Sequence, residues 1–170
     1  MDLLDRLLQH DAWTTAQFLV RCQELTVEQL DRRFDIGHGS VRATFEHIIF
    51  NMEVWSHLMA GHEPLPADRE QSLPAFTHRL DRAALIPSGV ARHVAARDGW
   101  DETWLDVLDD PPTRKTYGGA IAHVITHSMH HRAQLLWMLR QLGLQGLPEG
   151  DVFSWERQAM PASPNSQYRS

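Results

Sequence analysis

From residue 2 to about 24, apolar side chains recur at three- and four-residue spacings (Leu4, Leu7, Leu8, Ala12, Trp13, Leu19, Cys22) with no proline or glycine between them. That is the period of a helix with one face turned to a core, so the stretch predicts a first amphipathic helix. Phe34-Asp-Ile-Gly-His-Gly-Ser40 follows, two glycines and a serine suited to capping, and predicts a loop leading into a second helix. From Val41 to about Ala60 the helical spacing returns through Phe45, Ile48, Ile49, Met52, Trp55 and Leu58, with Gly61 placed to end it and Pro64 and Pro66 beyond. Residues 73–110 are less regular. Leu80, Ala84, Val90 and Val94 indicate helix, while Pro87-Ser88-Gly89 and Asp98-Gly99 interrupt it, so a third helix is expected to be kinked or split and followed by a short piece around Trp104–Leu108. Asp109-Asp-Pro-Pro112 breaks the chain again, and Thr116-Tyr-Gly-Gly119 opens the most regular helix, roughly 118–142, closed by Gly143. The last twenty residues lack periodicity and read as a docked segment that frays at its end. No stretch alternates with period two. Four main helices without strands predict an all-α, antiparallel four-helix bundle, one domain over residues 1–160 with a tail at 161–170.

Composition narrows the function classes. A length of 170 residues, 42% hydrophobic and 22% charged, suits a single globular domain. With 16 Lys+Arg against 22 Asp+Glu the formal charge is −6, which disfavours nucleic acid as a partner because phosphate neutralisation needs a basic face. Cys22 is the sole cysteine, so an internal disulfide and a cysteine-rich metal site are both excluded, and a reducing cytoplasm is expected. Acids near the N-terminus and the lack of a long apolar run argue against export and against a membrane span.

Histidine is what changes the picture. There are eleven, and His123, His127, His130 and His131 fall within nine residues on the last predicted helix. His127 and His131, four apart, stand one turn apart and about 40° different in azimuth, so both can reach one ion. His123 continues the stripe one turn earlier, and Ala120, Val124, Leu135 and Met138 lie near it. These imidazoles therefore border the core, where polar groups without partners are costly. On the second helix His47 shares its azimuth within about 20° with Val54 and Leu58 and offers a ligand from a facing element. His10, His38, His57, His62, His78 and His93 are expected to be surface or loop residues.

Three neutral imidazoles, His47, His127 and His131, suit Zn²⁺ and also Ni²⁺, Fe²⁺ or Cu²⁺, whereas Mg²⁺ and Ca²⁺ favour oxygen. Three protein ligands leave a position open for water or substrate. Residue 128 is Ser, so the glutamate base of the H-E-x-x-H metalloproteases is missing and peptidase activity is disfavoured. Glu46, Asn51 and Gln134 are candidates to orient ligands, and no catalytic residue is assigned. Cys22 reads as core, Gly118-Gly119 as a turn or close approach, and Asp151 with Trp155 as residues closing the bundle end.

His47 in Ala43-Thr-Phe-Glu-His-Ile-Ile-Phe-Asn-Met-Glu-Val-Trp55, and His123-Val-Ile-Thr-His-Ser-Met-His-His-Arg-Ala-Gln134, resemble the DinB/YfiT-like family of metal-dependent proteins. The family's usual H-R-G-Q stands here as His131-Arg-Ala-Gln134. The resemblance implies a four-helix bundle, often a homodimer, with Zn²⁺ or Ni²⁺ on His47, His127 and His131 and with His123 as a neighbour. Some relatives resemble thiol-dependent S-transferases that join mycothiol, bacillithiol or glutathione to a small electrophilic substrate. A metal-dependent hydrolase and a non-catalytic, stress-related metal-binding interaction module are the alternatives.

Overall fold

The computed structural model describes residues 1–63, 65, 66 and 69–159; Pro64 and the expected tail at 161–170 lie outside the described residues. The described chain is mostly helical. Its elements are α1 (Leu3–Cys22), α2 (Val27–Asp31), α3 (Val41–Met59), α4 (Leu73–Ala96), β1 (Thr103–Asp106), β2 (Thr113–Thr116), α5 (Tyr117–Gln141) and α6 (Val152–Ala159). The long helices pack in a ring: α1 lies against α4 and α5, and α3 also lies against α4 and α5.

Local signals account for most helix ends. Ser40, Ser72 and Thr116 each accept a hydrogen bond from the backbone N–H three residues on, meeting one orphan donor at the start of α3, α4 and α5. Gly61 and Gly143 sit at φ +76° and +86°, just beyond the last turns of α3 and α5. Between the helices lies a core of Phe18, Phe45, Ile48, Ile49, Phe76 and Leu135, among others, all essentially inaccessible. A second cluster towards the hairpin end gathers Leu8, Val54, Leu58, Trp104 and Ile121.

Several expectations are corrected. The third helix is not split: α4 runs unbroken from Leu73 to Ala96 with Pro87 inside it. Phe76, Leu80, Ala83, Pro87, Ala91 and Val94 make one buried stripe, so Pro87 contributes packing on the core face, and that burial outweighs the backbone hydrogen bond its ring removes. Strands are present after all, in an antiparallel pair that sets Trp104 against Lys115 and Asp106 against Thr113. The short piece expected around Trp104–Leu108 is thus strand as far as Asp106. Trp104 and Asp106 point inward, and two positions are too few for alternation to show in the sequence. A one-turn helix, α2, fills the first connection behind a Thr26–Gln29 capping box. Finally, the segment after α5 carries a helix, α6, which buries Ser154 and Trp155. Trp155 meets His10 edge to face, and the His10 ring N–H donates to the Gly150 carbonyl at 2.8 Å. His10, expected at the surface, is therefore buried.

Candidate metal centre

The helical period of α5 places His123, His127 and His131 along one stripe, and α3 brings His47 across from it. The Nε2 atoms of His47 and His127 stand 3.1 Å apart, and those of His127 and His131 3.2 Å apart. Two such contacts share the His127 Nε2, which carries either one proton or one in-plane lone pair, so hydrogen bonding among the three rings cannot satisfy both well. The His127 Nδ1 on the other side of its ring is buried without a hydrogen-bond partner among the described residues. A cation at the point of convergence suits this arrangement. Zn–N bonds of about 2.0–2.1 Å at tetrahedral angles put the nitrogens about 3.3–3.4 Å apart.

Protonation fits as well. Burial, then the neighbouring imidazoles, pushes His47 down to about 3 and His127 down to about 4. His131 is lowered for the same first reason. Near neutral pH these rings are therefore uncharged, the form that ligates a metal. Gln134 sets the tautomer of His131: its Oε1 accepts from the Nδ1–H at 2.8 Å, leaving the Nε2 lone pair aimed at the other rings. The Gln134 amide in turn donates to His130 Nε2 at 2.9 Å. Asn51 lies over His47, donating to its backbone carbonyl at 2.9 Å while its own Oδ1 accepts from Trp55 Nε1 at 2.8 Å.

Glu46, the third candidate for orienting a ligand, does something else. Both its oxygens accept from Arg79, which also pairs with Glu53, and Arg69 bonds Glu53 from the other side. Ser128 donates to the Val124 carbonyl and faces the core. Behind His131, Arg132 forms a buried ion pair with Asp11 of α1, tying the histidine helix to its neighbour.

His38, which the sequence assigns to a loop, is on a loop and exposed, yet it belongs to the cluster. Its ring stacks on His47 with centroids 3.6 Å apart and lies 5.0 Å from that of His131. His38, His47 and His131 each offer a ligand atom within 4.8 Å of the others. No spacing rule exposes this, because His38 precedes α3 and reaches His47 only by folding back along it. Gly37 permits the fold: it has φ +52°, and a Cβ there would stand 2.1 Å from Gln134 Oε1. His123, by contrast, is exposed; it meets Trp55 edge to face, and its ring centroid lies 4.8 Å from that of His127.

Space for a ligand lies on both sides. A cavity of about 250 Å³ is lined by His38, Ala43, Glu46, His47 and Phe50. Another of about 350 Å³ is lined by Trp55, Lys115, Thr116, Gly119, Ala120 and His123. Lys115 lies over the Trp55 ring at 4.6 Å and is neutralised by Asp106 and Asp109. An apolar cavity of about 390 Å³ between α1 and α5 lines neither histidine group. Among the described residues no helix is long and apolar enough to cross a membrane.

A mostly helical protein with a histidine-lined centre capable of holding a metal ion is the class these observations define. The chain belongs to the DinB family, whose model matches residues 1–157. No curated protein matches the sequence.

Proposed function

We propose that His47, His127 and His131 hold one divalent cation, Zn²⁺ or Ni²⁺, in an antiparallel four-helix bundle, and that the protein is a thiol-dependent S-transferase acting on a small electrophile. The observation that carries the metal reading is the convergence of three Nε2 atoms at 3.1 and 3.2 Å, with Gln134 holding one of them in the ligating tautomer. When bound, the cation supplies Lewis acidity and stabilises a thiolate near neutral pH. The chain itself supplies neutral donors, a rigid helical frame and cavities beside the rings.

Transfer is favoured over hydrolysis by the carboxylates. Glu46 and Glu53 are committed to Arg79, and residue 128 is a serine bonded to its own helix, so among the described residues no free carboxylate next to the imidazoles serves to activate water. A homodimer through α1 and α5 belongs to the same reading, supported by exposed Leu3, Val20, Met129 and Trp137 on those helices.

The test is elemental analysis of untagged protein by inductively coupled plasma mass spectrometry, alongside His47→Ala and His131→Ala. About one metal ion per chain, lost in both variants, is expected. Absence of metal after reconstitution with Zn²⁺ and Ni²⁺ refutes the centre. Metal without turnover of any low-molecular-weight thiol and electrophile leaves the non-catalytic module in place of the transferase.

A further inference from the structure

We propose that His38 is a fourth, displaceable protein ligand of this centre, so that the cation rests in a four-histidine site whose last donor yields its place to an incoming ligand. The inference rests on the metal reading above and specifies how access to that site is controlled.

Three observations converge on His38. Its ring is already gathered with the others, stacked on His47 at 3.6 Å between centroids and 5.0 Å from the centroid of His131. One of its nitrogens lies within 4.8 Å of ligand atoms of His47 and His131, so a shift of about 1–1.5 Å by this side chain reaches the spacing that tetrahedral ligation requires. The loop holds it there by its backbone. Phe34 N–H donates to the Gly39 carbonyl at 2.8 Å, and Gly39 N–H donates to the Ile36 carbonyl at 2.9 Å. Gly37 seats that turn directly on Gln134, the same side chain that orients His131.

The four donors are not equivalent. His47, His127 and His131 project from long helices, are half-buried or buried, and are packed against one another, with His131 also held by Gln134. His38 stands on a short loop and is exposed to solvent, so swinging it aside costs a side-chain rotation and loss of the stack on His47. It also lines the cavity of about 250 Å³ next to the cluster, so its departure opens the cation towards that space. A resting site closed by a fourth imidazole suppresses reaction with water until a better donor, such as a thiolate, displaces it.

The experiment uses Co²⁺ in the full chain, because its visible absorption reports the number and kind of donors, with Zn²⁺ affinity measured in parallel by competition with a chromophoric chelator. His38→Ala is expected to keep the helical circular dichroism of the wild type, to change the position and intensity of the Co²⁺ bands, and to weaken Zn²⁺ binding by at least the roughly 10–100-fold that loss of an outer-shell partner costs. Free imidazole should restore the wild-type spectrum in His38→Ala, and should bind it more tightly than it binds the wild type, where it must first displace His38. Identical Co²⁺ spectra and Zn²⁺ affinities in wild type and His38→Ala, with metal lost in His127→Ala, overturn the fourth ligand and leave the three-histidine centre standing. Failure of the folded wild type to bind Co²⁺ or Zn²⁺ overturns both.

Discussion

Replacing Arg132 by methionine removes a charge that the structure has no other means of replacing. The guanidinium is buried and donates to the Asp11 carboxylate, to the Asp11 carbonyl at 3.2 Å and to Thr15 Oγ1 at 3.2 Å. The second carboxylate oxygen, Oδ2, already has no hydrogen-bond partner among the described residues. Taking away one member of a buried pair strands the other, at a cost of about 3–5 kcal/mol. For a chain of this size each kcal/mol lowers Tm by about 2–4 °C, so a fall of about 6–20 °C is expected. The loss carries a pH signature. Burial holds the Asp11 carboxyl above its ordinary value, outweighing Arg132, and Arg132→Met pushes it higher. A group whose folded pKa is raised contributes stability below its unfolded value and loses it as pH rises through the folded value. The deficit of Arg132→Met against wild type should therefore be smallest near pH 4 and grow towards pH 7. Urea denaturation of chelator-treated protein at each pH measures it, and Asp11→Asn/Arg132→Met should recover most of the loss. A deficit under about 1 kcal/mol, or one that does not change with pH, refutes the argument.

Three further outcomes bear on the centre. Gln134→Ala frees the His131 ring and should weaken Zn²⁺ binding about 10–100-fold with little change in Tm, as read by chelator competition. Gly37→Ala places a methyl group 2.1 Å from Gln134 Oε1 at a backbone of φ +52°; it should cost about 1–3 kcal/mol and weaken metal binding in the same direction, whereas Gly39→Ala, at φ +80° and 2.9 Å from the Arg33 guanidinium, is strained without touching Gln134. At pH 6.5 three ordinary imidazoles would together release about 1.5 protons on ligation. With His47 down to about 3, His127 down to about 4 and His131 lowered, release should fall below about 0.5 proton, measured by calorimetry in buffers of different ionisation enthalpy. The sign for the metal-free protein follows: these folded pKa values lie below the unfolded one, so their stabilising effect is complete above about pH 6.5 and is lost as pH falls towards 4 and then 3.

The helices were readable because helix formation with a buried face is a local rule. Spacing of three and four located α1, α3 and α5 to within about two residues, helped by Ser40 before α3 and by Gly61 and Gly143 after α3 and α5. Pro87 misled because its local cost is visible in sequence whereas the stripe it joins, from Phe76 to Val94, earns its stability only against other helices. The β1–β2 pair escaped for a related reason: Trp104 and Asp106 take their inward direction from the helices beneath them and from Lys115.

What the sequence by itself determined is the helical framework and the alignment of His127 with His131, since both follow from a fixed 3.6-residue repeat. It also placed His47 on the border of a core face. What only the tertiary structure decided is which groups meet across elements: the approach of His47 to His127, the return of His38 over the cluster, the diversion of Glu46 to Arg79 and the burial of Arg132 on Asp11. A repeat specifies direction around one helix axis. Distances between axes, and the path of a glycine-flanked loop, arise from packing many side chains at once, and no single stretch of chain carries that information.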